Sequence, residues 1–282
     1  MLKPVIIAIP FFALLIAFEA YLAVRKEEVY DRKDAWTNIA LGFGSVVFGF
    51  VFGAIQTFFY VGIYENLAPY QMPMNVWWSW VLLLFIDDFA YYWFHRFSHE
   101  VRFFWNFHVV HHSSNQYNLS VAVRQSWFSG LAHWIFYLPA AFLGFPLWAF
   151  LTMHGLNLIY QFWIHTKLVG RIGFLENILN TPSHHRVHHG VNDDYLDKNY
   201  GGIFIFWDKL FGTFTNEAET PRYGITTPLE SRNWLWINTH GWAEMWAAMR
   251  EQKTFIGKLR CVFGAPDMNF DETPTAVKMP SN

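Results

Sequence analysis

The chain has 282 residues, 53% of them hydrophobic and 21% aromatic, which exceeds the roughly 45–50% apolar content of an ordinary soluble domain. A net charge of −2 gives no footing for nucleic acid. The single cysteine, Cys261, excludes an intrachain disulfide, an iron–sulfur cluster and a cysteine-rich zinc site.

Residues 5–24 carry one charge and are long enough to cross about 30 Å of hydrocarbon. They are expected to persist as a span. A cleaved signal peptide would need a basic segment beyond Lys3 and a small-x-small cleavage site. Residues 39–64 form a second expected span, and 76–94 a third, which contains Asp87 and Asp88. The apolar stretch 127–165 is too long for one crossing and is broken by Pro139, Gly144 and Pro146. It reads as two spans, about 126–143 and 146–165, forming a hairpin. A bilayer-facing cavity is expected between the third, fourth and fifth spans, with Gly130, Ala132 and Ala140 as small residues on the fourth.

Arg25, Lys26, Arg32 and Lys33 follow the first span and predict a cytoplasmic loop there. Alternation then places 65–75 outside, 95–125 inside, the Pro139–Pro146 turn outside and 166–282 inside. Of the 20 Lys and Arg, only Lys3 falls on the outer side. Past residue 166 the apolar runs break into a cap of short helices and loops. In the cap, Trp242, Met245, Trp246 and Met249 share helical spacing. That face suits either the membrane interface or the cap's own core. The expected fold is all-α. Residues 1–165 form a polytopic membrane helical bundle of about five spans, two of them a hairpin, and carry the first histidine clusters. Residues 166–264 form a cytoplasmic cap that completes a metal site, and 265–282 a polar tail.

The 13 histidines are mostly clustered. His95 and His99 are spaced i, i+4 on one helix face. His108, His111 and His112 follow, then His165 at the end of the fifth span, then His184, His185, His188 and His189 in the cap. The hydropathy topology puts all four groups on one membrane face. So many imidazoles would repel on protonation unless something bound them, and imidazole suits iron, zinc, copper and nickel. About nine ligands exceed what one ion accepts, so two metals are expected. His133 and His240 have no such neighbours and receive no role.

Asp88, Tyr92, His95 and His99 share one face of the third span. Asp88 is expected to accept a hydrogen bond from a ligand histidine or to pair with an arginine such as Arg124. His154, Asn157, Gln161 and His165 share a face of the fifth span. His154 lies roughly 16 Å deeper than His165 at 1.5 Å per residue and reads as a buried hydrogen-bonding residue. Asn157 and Gln161 are expected to stand behind the ligands.

The spacing His-x3-His, His-x2-His-His and again His-x2-His-His resembles the fatty acid hydroxylase and sterol desaturase superfamily. The blocks YYWFHRFSHE, HHSS, YNLS, VRQS, LIYQFWIHT, ILNTPSHHRVHHG, DKNYGG and WDKLFGTF are similar to its ether-lipid-cleaving branch over about residues 80–214. The resemblance implies an all-helical fold, two iron ions and O2-dependent hydroxylation of a membrane lipid. The matching ligand positions are His95, His99, His108, His111, His112, His185, His188 and His189, with His165 and His184 beside them. Glu100 matches an acidic residue of that branch and would stand behind the ligands or touch a cofactor. The branch uses tetrahydropterin as reductant. No cytochrome b5-like His-Pro-Gly-Gly motif occurs, so electrons are expected from a pterin or a separate reductase. The enzyme would sit in a bacterial inner membrane or the endoplasmic reticulum, with its site on the cytoplasmic face. The alternative within this chemistry is a fatty acyl, sterol or carotenoid hydroxylase or desaturase. A metal transporter would place its ligands near the bilayer midplane, and a haem carrier would pair histidines within its spans. Clusters at the span ends disfavour both.

Overall fold

The structure, a computed structural model, describes residues 3–26 and 30–268. The described residues form helices α1 (Lys3–Arg25), α2 (Arg32–Asn66), α3 (Trp77–Glu100), α4 (Arg102–His112), α5 (Leu119–Ala122), α6 (Leu138–Phe142), α7 (Leu147–Trp163), α8 (Pro182–His188), α9 (Phe206–Phe211), α10 (Trp234–Glu251) and α11 (Phe255–Phe263). Among them there is no strand, and two isolated bridges join Leu179 to Phe204 and Gly190 to Tyr223.

Among the described residues, α1 and α2 are long and apolar enough to cross a membrane, and only 17% and 6% of their most apolar windows are buried. Phe43 and Phe58 of α2 are 73% and 74% exposed. Apolar helices that turn outward rather than onto a core have the surface of a membrane protein. Asp31 starts α2 as its N-cap, accepting the amides of Lys33 at 2.8 Å and Asp34 at 3.1 Å.

The expected fourth span is not one helix. Ser129–Leu131 and His133–Tyr137 are 3-10 turns that lead into the five-residue α6. The Gly130 carbonyl accepts from Gln56 Nε2 of α2 at 2.6 Å. Ala132 leaves helical geometry at φ −121°, and Pro139 has no N–H to continue the ladder. Gly130 lies against Phe52 and Gln56 of α2, and Ala132 is buried. Ala140 is packed with Tyr60, Phe145 and Phe150. These positions are filled by neighbours rather than left open as the expected cavity wall.

One core joins α2, α3, α6 and α7 through Tyr60, Leu83, Ala90, Tyr137, Phe150 and Met153. A second, of Leu41, Val110 and Ile237, ties α2 to α4 and α10. Helix α1 packs on α7, where Phe12 and Phe162 stack at 4.0 Å. Its buried Glu19 accepts the Leu119 amide at 2.6 Å and the Thr166 hydroxyl, which holds α1 to the loops beside the histidines. In α10, Trp242 packs on Phe103 and Phe107, and Met245 Sδ accepts from Asn106 Nδ2 at 3.3 Å. That part of the expected α10 face belongs to the protein's own core, whereas Trp246 is exposed.

Candidate metal centre

The last two turns of α3 present His95 and His99, and α4 presents His108, His111 and His112. His165 follows the end of α7. His185 and His188 lie on α8, with His189 at its C-cap. Folding sorts these nine into two groups, His95, His99, His108, His112 and His188, and His111, His165, His185 and His189. Within each group the nearest ligand nitrogens all lie within 4.8 Å of one another. The groups adjoin, since the rings of His112 and His189 stack at 4.3 Å.

Hydrogen bonding fixes which nitrogen points inward. A backbone carbonyl can only accept, so an imidazole nitrogen beside one carries the proton. His95 Nδ1 donates to the Tyr200 carbonyl at 2.8 Å and His188 Nδ1 to that of Lys198 at 2.9 Å. In the second group, His111 Nδ1 donates to the Arg124 carbonyl at 3.0 Å and His165 Nδ1 to that of Gln161 at 2.7 Å. The neutral rings therefore turn bare Nε2 lone pairs inward. His111 and His165 face each other Nε2 to Nε2 at 3.1 Å, an approach in which neither nitrogen has a proton to give. Further Nε2–Nε2 separations are 3.0 Å for His95–His108, 3.1 Å for His112–His188 and 2.9 Å for His165–His185. His99 Nε2 and His189 Nε2 are buried without a partner.

A shared cation removes this conflict. Nitrogens each about 2.1 Å from one ion and at right angles to one another stand about 3 Å apart. Burial is the largest influence on these rings. With the neighbouring imidazoles it holds His108, His112, His185, His188 and His189 well below the usual histidine range. Burial also lowers His111 to about 4. These six rings are thus neutral at ordinary pH, as metal ligation requires. The residues fit a pair of metal ions.

The carbonyls that orient His95 and His188 come from one loop. Asp197 and Asn199 enter it in the left-handed region, at φ 57° and 59°. Asn199 is locked by its side chain, which donates to the carbonyls of His184 at 3.1 Å and Thr215 at 2.7 Å. Asp208 accepts the amides of Tyr200 at 2.7 Å and Gly201 at 2.8 Å, and the Thr213 hydroxyl at 2.7 Å. Gly202 then passes so close to α3 and α7 that a Cβ there would stand 2.7 Å from Asp88 Oδ1 and 3.0 Å from Asn157 Oδ1.

Asp88 touches neither a ligand histidine nor Arg124. It accepts from the amides of Ile203 at 2.6 Å and Phe204 at 3.1 Å, from Trp207 Nε1 at 3.0 Å and from Asn157 Nδ2 at 3.2 Å. Its carboxylate meets the returning loop first, so it acts on the site through that loop. Arg124 instead bonds Asn38, Ser113 and the Val110 carbonyl. Asn157 also donates to Asp87 at 2.8 Å and accepts from Gln161 Nε2 at 2.7 Å. Gln161 reaches the histidines through its backbone, whose carbonyl orients His165. His184 is buried beside Thr181 Oγ1 at 3.3 Å and lies outside both ligand groups. Glu100 is exposed and pairs with Arg96 at 2.8 Å. His154 bonds Asp87 at 3.0 Å, His133 bonds the Ser129 carbonyl, and His240 bonds carbonyls of its own helix.

Sequence reasoning missed Asp208, Asn199 and the carbonyls of Lys198 and Tyr200. The signal lay in DKNYGG and WDKLFGTF, which carry these residues but no histidine.

Residues 80–213 match the fatty acid hydroxylase family. The chain carries a fatty acid hydroxylase domain. All nine grouped histidines fall inside it. The chain is 41% identical to an alkylglycerol monooxygenase from Homo sapiens and 40% identical to one from Danio rerio, each over 92% of this chain and 58% of the relative. An ornithine lipid hydroxylase from Rhizobium tropici is 34% identical over 54% of this chain and 46% of its own length. The chain thus spans little more than half the length of the alkylglycerol monooxygenases that it matches. No solved structure matches the chain significantly.

Proposed function

We propose that the chain is a di-iron membrane monooxygenase that uses O2 to hydroxylate the alkyl chain of a lipid, at the carbon beside the ether oxygen of an alkylglycerol. The observation that carries this reading is the gathering of nine histidines into adjoining groups of five and four, with the Nε2 lone pairs of His95, His188, His111 and His165 turned inward. His95, His99, His108, His112 and His188 would hold one ion, and His111, His165, His185 and His189 the other. When bound, the iron pair supplies O2 activation and delivery of a hydroxyl to a C–H bond. Hydroxylation beside an ether oxygen gives a hemiacetal, which separates into an aldehyde and a glycerol derivative. Backbone carbonyls orient His95, His111, His165 and His188, and Asp88 and Asp208 hold the 197–208 segment that supplies two of those carbonyls.

The names of the alkylglycerol monooxygenase relatives support the ether lipid as substrate. The resemblance of the sequence blocks to the ether-lipid-cleaving branch supports tetrahydropterin as reductant, with a separate reductase as the other electron source. Glu100 at the exposed end of α3 is available to such a donor. The charge bias supports a site on the cytoplasmic face. A second reading, hydroxylation of another lipid's chain, is favoured by the names of the ornithine lipid hydroxylase and of a fatty acid hydroxylase from Lecanicillium, which match about half of this chain.

The test uses iron-loaded protein in lipid nanodiscs, supplied with O2 and either tetrahydropterin or reduced ferredoxin. Mass spectrometry of alkylglycerol and ester-linked substrates should show a fatty aldehyde from the ether lipid alone. A hydroxylated ester lipid would favour the second reading. No oxidised lipid with either reductant, in protein carrying two irons, would overturn both.

A further inference from the structure

Helix α11 carries its apolar residues on the side turned away from the protein. With about 100° between successive helical residues, Phe255, Leu259, Phe263 and Ile256 fall in one arc of about 100°. They are 75%, 40%, 60% and 64% exposed. Cys261, on the opposite side, is fully buried. The exposed Lys258 and Arg260 flank the arc. A helix on a soluble protein points its apolar stripe at the core. Here the stripe points outward, so a second apolar phase must lie outside.

Neighbouring residues identify that phase. Arg232, just before α10, pairs with the α2 cap Asp31 at 3.0 Å, and Ile237 packs with Leu41 of α2. The start of α10 therefore lies at the N-terminal end of a helix long enough to cross a bilayer. Trp36 of α2 and Trp234, Trp236 and Trp246 of α10 are all exposed there or along the same hairpin. Tryptophan collects at membrane–water boundaries, where its ring meets lipid and its N–H meets water. Between Trp246 and Phe263 the basic residues are Arg250, Lys253, Lys258 and Arg260, against the single acid Glu251. That balance complements anionic phosphate headgroups.

We propose that the α10–α11 hairpin lies in the interface of the same bilayer that holds α2. Phe255, Ile256, Leu259 and Phe263 dip about 5–10 Å into the boundary between headgroups and acyl chains, and Lys258 and Arg260 meet anionic headgroups. Phe103 of α4 packs on Trp242 and Phe263, and the Arg102 amide bonds the Gly264 carbonyl at 2.9 Å. Because α4 also carries His108, His111 and His112, the hairpin would set the depth of the histidine centre. The proposal needs α2 in a bilayer and does not depend on the oxidation chemistry.

The test places a single thiol on the arc with Ile256→Cys in a Cys261→Ser background, labelled with an environment-sensitive fluorophore in nanodiscs. Asn216→Cys, on the exposed side of the cap, is the aqueous reference. Phe263→Cys repeats the measurement, so that misfolding of one variant leaves the other, with gel filtration as the check on each. Lipids spin-labelled near the headgroup should quench the arc label strongly. Iodide in water should quench it about threefold less than the reference. Strong iodide quenching would overturn the proposal. So would a label reached by neither quencher, because that pattern means burial against a second copy or another protein. Lys258→Glu with Arg260→Glu should weaken lipid quenching in anionic nanodiscs and leave neutral ones unchanged. An equal response in both would overturn the assignment to anionic headgroups.

Discussion

The Asp208 carboxylate accepts the backbone N–H of Tyr200 at 2.7 Å, and the carbonyl of Tyr200 in turn takes the Nδ1 proton of His95 at 2.8 Å. A carboxylate that is no ligand therefore fixes the ring of a residue that faces the five-histidine group. Groups that orient a ligand typically contribute about 10–100-fold to metal affinity. Asp208→Ala should lower retention at the five-histidine group by that order and spare the four-histidine group, whose rings are held by Arg124 and Gln161. Metal content measured during a chelator titration checks this. Parallel loss from both groups would show that the variant had disturbed the fold rather than one ring.

Asp208 also has a pH signature. Burial raises its pKa to about 6, against the lowering effects of Thr213 and the two backbone amides. The folded value lies above the unfolded 3.8, so folding favours the protonated form. Its contribution to stability is full below about pH 4 and is lost as pH rises through about 6. Asp208→Asn cannot ionise and escapes that loss. The melting temperature of Asp208→Asn relative to the parent should rise between pH 4 and pH 7, after a constant offset from the changed hydrogen bonds. Comparing the two proteins cancels the histidine titrations that they share. A difference that stays flat or falls over this range would contradict the assignment.

Gly202 marks where the loop meets the helices. A Cβ there would stand 2.7 Å from Asp88 Oδ1, 2.8 Å from the Tyr91 ring and 3.0 Å from Asn157 Oδ1. These groups are held from several sides and have little room to retreat. Gly202→Ala should cost about 1–3 kcal/mol, as other overpacking changes do. Gly49→Ala, where nothing lies within 4 Å, should stabilise α2 by up to about 1 kcal/mol. Denaturant unfolding of the two variants should give opposite signs.

The grouping of the histidines was legible in the sequence because an i, i+3, i+4 pattern puts several rings on one helix face whatever the tertiary fold. His165 was legible as the polar end of an apolar run. The partners that orient those rings were not, because four of them are backbone carbonyls and any residue type supplies one. Asp88 was singled out correctly as buried, yet its helical spacing toward His95 was misleading. Spacing along α3 takes no account of the 202–207 loop, which reaches the carboxylate first. The fourth span failed for a related reason. Its composition is apolar enough for a helix, but the segment is packed against distant parts of the chain, Gly130 on Phe52 and Gln56 and Ala140 in the core with Tyr60.

Stoichiometry tests the two-group division most directly. His111 and His188 belong to different groups although both are buried and both donate Nδ1 to a backbone carbonyl. If each group holds its own ion, the parent should bind about two metals, and either His111→Ala or His188→Ala should reduce that toward one without abolishing it. The double variant should bind almost none. His133→Ala, whose ring bonds the Ser129 carbonyl away from both groups, should bind as the parent does. Removing all metal restores the opposed lone pairs of His111 and His165 at 3.1 Å, so a chelator should lower the melting temperature of the parent. In the double variant, which should hold almost no metal to remove, the chelator should change little. Zinc should compete well against ferrous iron for these imidazoles and should restore the melting temperature without lipid oxidation, because zinc has no redox chemistry. A parent that binds one metal, or single variants that each lose all metal, would mean that the nine histidines form one shared site rather than two.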